Sequence, residues 1–493
     1  MYSFRALKRM DLDWEDYEEA LREYNLEHGI QNDNGGDDDN NAGADPRVKS
    51  KPKSMNHQTV FTGGTMAIDL GTLNIRIAHK PSAANGGSST PNVVVNREGA
   101  RATPNHILFE SDGSFVSGHL ASAKVFERSN ASNPVVNPGQ LLREDADGTS
   151  STIPASIRNQ MVEQVISSAA KNALEQVLGS NKSSSSGFKG LFSIDSGMGG
   201  YNVQPVFTYP PKHGSSNNTN DHEYLEDYRD ALRNLSLPDS IATFVAEPLC
   251  AVRGAKFHGL LPTTQPGPVM VIDVGATTTS LSIVDSDKVQ YHSRLEGFGG
   301  ETMVEALMNF LSKSFYGSKH HDVSDKMGVQ RLYDAAHGAV MEISSGSKKN
   351  LGRVQINIPY LSVDEKMQPK HLDLGVSAKV LEAEFNDLVA KEIVPEYAVK
   401  QGVLSQSMQS PVVDVSSLFS SMIMQVMERS GQNPFALSCI LVVGGGARSP
   451  VIQKSIKTAV GALAGEQFVA EKVVVPRDEL IEELVVLGGT LQQ

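Results

Sequence analysis

The chain has 493 residues, 39% hydrophobic and 20% charged, with 44 Lys and Arg against 57 Asp and Glu for a net charge of −13. That length gives room for about three domains, and the acidic balance repels phosphate backbones, which argues against a nucleic-acid partner. No apolar run approaches the roughly 20 residues that span a bilayer, so no membrane partner is expected either.

The first ten residues, MYSFRALKRM, are basic but lack the apolar core of a signal peptide, and the chain then turns acidic. The cytoplasm is the expected compartment, with an organelle left open. Residues 1–30 read as an amphipathic helical tail, because Trp14, Tyr17, Leu21 and Tyr24 fall on one helical face. Residues 31–59 are polar and read as a disordered linker. An aromatic-faced helix on a tether suits docking onto a partner protein; folding back onto its own domain is the alternative.

The globular part opens with strand-like runs TMAIDLG, NIRIAHK, PNVVVNR and HILFE, separated by turn-rich stretches. Helical periodicity follows in SIRNQMVEQVISSAAKNALEQVLG, then a Ser/Gly-rich loop, the strand VQPVFTYPP and the helix DHEYLEDYRDALRNL. The second half repeats the order. Strands PVMVIDVG and TSLSIVDSD and the run KVQYHSRLEGFGG lead to the helix ETMVEALMNFLSKSF and to further helices. The strand SCILVVGGG, the helix VIQKSIKTAVGALAG and a closing helix RDELIEELVVLGGTLQQ complete the chain. Such duplication predicts two α/β lobes of one design with a ligand cleft between them. Cys250 and Cys439, the two cysteines, lie in separate apolar runs and read as buried thiols rather than a disulfide.

Two turns carry the chemistry. AIDLGTLN (Ala67–Asn74) and VIDVGATTTS (Val271–Ser280) each place an aspartate, Asp69 or Asp273, before a Gly/Thr turn. A tight turn of this kind points backbone N–H groups and hydroxyls into one concavity, a nest suited to an anion. One nest is ordinary in any hairpin. Two facing each other would grip a polyphosphate, with the aspartates holding Mg²⁺ through water and positioning the attacking water. The glycines Gly444–Gly446, between an apolar strand and a helix, would let a flat group approach the backbone. Neither a Walker motif nor G-x-G-x-x-G occurs.

Together these residues resemble the nucleotide-binding domain of the 70-kilodalton heat-shock chaperones (DnaK-like), within the actin-like ATPase superfamily. NREGARATPNHILF, VAEPLCAVRGA, GFGGETMVEALM, RLYDAAHGAVMEISS and VVGGGARSPVIQK are similar to further family segments, so the resemblance covers about Thr65 to Gln493. It implies an actin-like ATPase fold of two lobes, each with a mixed five-stranded sheet and helices. The lobes would span 60–258, completed by 476–493, and 259–475, with no peptide-binding domain. The implied cofactors are ATP or ADP with Mg²⁺, held by Asp69 and Asp273, with Glu247 beside them as the third catalytic candidate. Gly71, Thr72, Leu73, Asn74, Gly275, Ala276, Thr277 and Thr278 would line the phosphates. Gly299, Gly300 and Glu301 start a helix at the site; Gly444, Gly445, Gly446 and Arg448 would flank the adenosine, with Ser344 on the adenine side. Implied partners are co-chaperones or another chaperone, and the implied state is a monomer.

Departures from the family bear on activity. Gly139 stands at the catalytic lysine, with Arg143 nearby; Ala276 and Thr277 replace turn glycines; Ser280 replaces an aspartate. On the adenine-side helix His337, Val340 and Met341 replace charged residues, removing a cation that stacks on the base. The expectation is therefore weak nucleotide binding with slow or no hydrolysis. The alternatives are a pseudo-ATPase scaffold without nucleotide, and an active actin-like phosphotransferase or filament former.

Overall fold

The computed structural model describes residues 63–82, 89–109, 115–119, 121, 135–136, 203–211, 213–215, 243–262, 267–345, 353–400, 402–404, 412–477 and 479–491. The expected N-terminal helix and linker, the helices within 155–179 and 221–235, and Gly139 and Arg143 lie outside the described residues.

In chain order the strands are β1 (Gly64–Leu70), β2 (Asn74–Lys80), β3 (Asn92–Val93), β4 (Thr103–Pro104), β5 (Ile107–Phe109), β6 (Phe115–Ser117), β7 (Val135–Val136), β8 (Val203–Tyr209), β9 (Gly214–Ser215) and β10 (Thr243–Ala246). They continue with β11 (Val269–Val274), β12 (Thr278–Asp285), β13 (Lys288–Glu296), β14 (Arg353–Val363), β15 (Pro369–Ser377), β16 (Cys439–Val443) and β17 (Val473–Val474). The described α-helices are α1 (Glu247–Phe257), α2 (Gly300–Tyr316), α3 (Lys326–Ser344), α4 (Ala378–Leu388), α5 (Val415–Ser430), α6 (Pro450–Ala464), α7 (Glu466–Lys472) and α8 (Leu480–Gly489).

Two mixed sheets share one plan. The first runs β10-β8-β1-β2-β3, with β4 also on β2; the second runs β17-β16-β11-β12-β13-β9. In each, an antiparallel hairpin (β1–β2, β11–β12) carries a parallel strand on its outer side (β8, β16). Each sheet thus holds six strands among the described residues, against five expected. The sixth is a two-residue edge pairing, β4 in the first and β9 in the second, too short to leave a periodicity in the sequence. β9 comes from the chain segment before α1, yet it pairs with β13 of the second sheet.

The hairpin turns sit at equivalent ends of the two sheets because β1–β2 and β11–β12 take the same place in the shared strand order. Met66, Ala67 and Ile68 are buried in β1, as are Met270, Val271 and Ile272 in β11. Burial on both faces makes each strand a continuous apolar run rather than an alternating one. α1 follows β10, α8 follows β17, and the two helices pack on each other between the sheets, with Cys250, Ala251, Leu484 and Leu487 in one core. The larger core unites the second sheet with α2–α6 around Phe298, Phe385 and Phe419.

One element departs from the expected run of helices after α2. Residues 353–377 form an antiparallel hairpin, β14–β15, packed against α3. Its signal is an alternation, with Val354, Ile356 and Ile358 buried between exposed neighbours, and the period of two marks a strand with one wet face.

Both cysteines are free and buried, as expected. Burial pushes the Cys439 thiol up to about 11 and raises Cys250 as well. Since the thiolate is the nucleophile, neither should react with a thiol reagent at pH 8 in the native protein, and both should react after denaturation. Rapid labelling of the native protein, counted by mass spectrometry, would contradict this packing.

Candidate functional site: a cleft between the sheets

The two Asp-containing turns face one cavity of about 470 Å³, within the roughly 300–1,000 Å³ range of small-molecule pockets. The two turns are held differently, the first by a later segment and the second by its own backbone. In the first, the Asn105 side-chain amide donates to the Gly71 carbonyl at 2.9 Å and the Asn105 N–H donates to the Leu73 carbonyl at 2.8 Å. Thus the Thr-Pro-Asn segment after β3 shapes the turn after β1. In the second, the Gly275 N–H donates to the Thr278 carbonyl at 2.8 Å.

The glycine clusters meet around the second turn. The Gly300 and Glu301 N–H groups at the start of α2 donate to the Gly275 and Ala276 carbonyls at 2.9 and 2.7 Å. A Cβ on Gly299 would stand 2.7 Å from the Gly275 oxygen, and one on Gly446 would meet the same oxygen at 2.7 Å. Gly444 adopts φ +95, and a Cβ there would stand 2.7 Å from the Val274 carbonyl carbon. Only glycine allows this three-way backbone approach. It brings sequence positions 275, 300 and 446 to one wall.

Of the sequence-derived site residues, Asp69, Glu247 and Asp273 all line the cavity. So do Gly71, Thr72, Leu73, Asn74, Gly275, Ala276, Thr278, Gly300, Glu301, Ser344, Gly444, Gly445, Gly446 and Arg448. Thr277 and Gly299 do not; Thr277 is half-buried within the turn, and Gly299 is buried at the N-cap of α2 against Ala276. Asp69 is 9% exposed and accepts a hydrogen bond from the Thr208 hydroxyl at 2.6 Å. Ser280, His337, Val340 and Met341, the departures within the described residues, line the cavity too.

Several wall residues were not singled out from the sequence. Glu482 of α8 accepts from Arg448 at 2.9 Å and from Arg76 of β2, joining chain positions that flank the two sheets. Outside the cavity lining, Arg101 forms a two-pronged pair with neighbouring Glu483 at 2.5 and 2.8 Å. Tyr333 donates to Glu301 at 3.0 Å and stacks on His337 with ring centres 5.8 Å apart. Burial raises the Glu301 carboxyl to about 7 against the pull of the Tyr333 hydrogen bond. Desolvation pushes His106 down to about 4 and lowers His337. His292 and Arg294, two residues apart and so on one face of β13, were the available signal for that part of the wall.

The buried Ser449 hydroxyl and the His292 Nε2 both belong to cavity-lining residues and reach no hydrogen-bond partner among the described residues. Buried polar atoms ordinarily find one. Among the described residues no group of three His, Cys, Asp or Glu is set to hold a metal ion. No helix among the described residues is long and apolar enough to cross a membrane.

Two mixed sheets of one topology, each ending in an Asp-Gly turn on a shared cleft, define an actin-like ATPase fold. Residues 254–417, from the end of α1 to the start of α5, match the family model described as Hsp70 protein. Over those residues the chain is similar to the Hsp70 family.

Proposed function

We propose that the chain binds a Mg²⁺-complexed adenine nucleotide in this cleft and acts in protein folding or quality control through protein partners, with slow hydrolysis at best. The observation that carries the reading is the convergence of both Asp-Gly turns, Glu247 and the Gly444–Gly446 corner on one cavity. Asp69 and Asp273 would hold the metal through water, and the turn N–H groups would take the phosphates. The base would lie along α3, where Tyr333, His337, Val340 and Met341 offer aromatic and apolar surface. We assign 60–258 with 476–493 to one lobe and 259–475 to the other, and the N-terminal aromatic segment to partner docking.

Slow hydrolysis follows from the wall. Ala276 puts a methyl group where the nest would be open, and removing one charged or donor group at a developing charge costs about 10²–10³ in rate. Calorimetric titration of the full chain with Mg²⁺-ATP should give a dissociation constant in the micromolar range or weaker. Asp273→Ala should weaken it at least tenfold. No heat and no thermal stabilisation at millimolar ATP would overturn the binding reading; fast steady-state hydrolysis abolished by Asp273→Ala would overturn the impaired catalysis.

A further inference from the structure

The second sheet turns a polar strip toward the cleft. Across three adjacent strands Asp273 is in register with Ser280, and Ser280 with Arg294; the next row pairs Ser282 with His292. Alternation along β13 puts His292 and Arg294 on the same face. Asp273, Ser280, His292 and Arg294 all line the cavity. This strip starts at the phosphate turn. Thr278 closes that turn, and Ser280 lies two residues, about 7 Å, further along the strand.

Arg294 is the cation of the strip. Its side chain is 9% exposed and pairs with Glu296 at 2.8 Å. Its charge is felt locally, being one cause of the lowered proton affinity of both His292 and His213 after burial. The other two arginines on the cavity wall, Arg76 and Arg448, share the single carboxylate of Glu482. Beside Arg294, the buried His292 ring meets the Ser282 hydroxyl through Nδ1 at 2.8 Å, while its Nε2 has no partner among the described residues. A guanidinium paired with Glu296 and, beside it, an imidazole nitrogen with no partner among the described residues thus lie at the end of the second Gly/Thr turn, where an acceptor-rich group in the cleft could reach them.

We propose that Arg294 contacts the terminal phosphates of the nucleotide, with the open His292 Nε2 beside it as a second polar contact; this rests on the nucleotide reading above. A guanidinium suits the task because it is permanently charged and presents paired donors to phosphate oxygens. The contact comes from β13 of the second sheet and engages the phosphate chain, not the nucleoside. It therefore sets a preference for ATP over shorter nucleotides.

The test is titration of the full chain and its variants with ATP, ADP and adenosine. Wild type should bind all three, ATP most tightly. Arg294→Ala should weaken ATP at least tenfold and ADP less, and leave adenosine unchanged. Arg294→Lys should recover part of the loss, since it keeps the charge without the paired donors. ATP binding by folded Arg294→Ala within twofold of wild type would overturn the assignment. Where the alanine variant fails to fold, Arg294→Lys decides: a three- to tenfold loss for ATP alone supports it, and an unchanged ATP affinity or an equal loss for adenosine overturns it. Absence of ATP binding by the wild type would remove the nucleotide reading itself, an outcome separate from any Arg294 effect.

Discussion

Glu482→Ala is expected to destabilise the protein by about 3 kcal/mol, the low end of the cost of stripping one partner from a buried ion pair. Glu482 is the shared acceptor for Arg76 and Arg448, and its side chain is 15% exposed, with Arg76 at 14%. Removing the carboxylate leaves two guanidinium groups facing each other across the cleft wall without a counter-charge. Arg448, at 36% side-chain exposure, is partly screened by water and holds the figure down. Because Arg76 stands on the first sheet and Arg448 follows β16 of the second, the loss should also loosen the cleft. A chemical-denaturation series compared with wild type measures the first effect. A change below about 0.5 kcal/mol, the range of ordinary surface substitutions, would show that the three-residue contact does not hold the walls together.

Gly488→Ala should also destabilise, and here the sign is decided by a competition. Alanine is favoured over glycine inside a helix by up to about 1 kcal/mol. Against that, a Cβ on Gly488 would overlap the Cys250 carbonyl, 2.6 Å from its carbon and 2.8 Å from the Gly254 nitrogen. Gly254 faces the partner helix in the same way, with a Cβ there 3.2 Å from the Leu484 carbonyl carbon and closer to its oxygen. The obstacles are backbone atoms, which cannot rotate away, so α1 and α8 would have to separate. Overpacking of this kind typically costs about 1–3 kcal/mol and at times more. Gly338→Ala supplies the control. Gly338 is exposed in mid-α3 with nothing within 4 Å of its would-be Cβ, and the substitution should stabilise by about 0.5–1 kcal/mol. Equal effects of the two substitutions on the melting transition would refute the close helix crossing.

Much of the cleft was legible because its parts are local. A Gly-Thr turn after an aspartate states its backbone geometry within five residues, and Asp69–Asn74 and Asp273–Thr278 do so twice. Gly444–Gly446 after a five-residue apolar strand is equally local. The β14–β15 hairpin was missed although its alternation is present, because the helical periodicity on either side dominated the reading of that region. The Glu482 contact was not legible in any window: it joins Arg76 to a residue 406 positions away. Nothing about Arg76 or Glu482 taken separately distinguishes them from solvated charges on a strand and a helix.

By itself, then, the amino-acid order determined the two turns, the glycine corner and the duplicated strand–helix plan, since these follow from short-range sterics and burial period. The tertiary structure alone decided which charges meet. Whether Arg448 is ion-paired with Glu482, whether Arg294 faces the cleft and whether His292 keeps an open nitrogen depend on strand register and on how closely α1 and α8 cross. Those quantities are set by pairing and packing between elements, some of them hundreds of residues apart, where a shift of one residue turns a side chain from the cleft to the core.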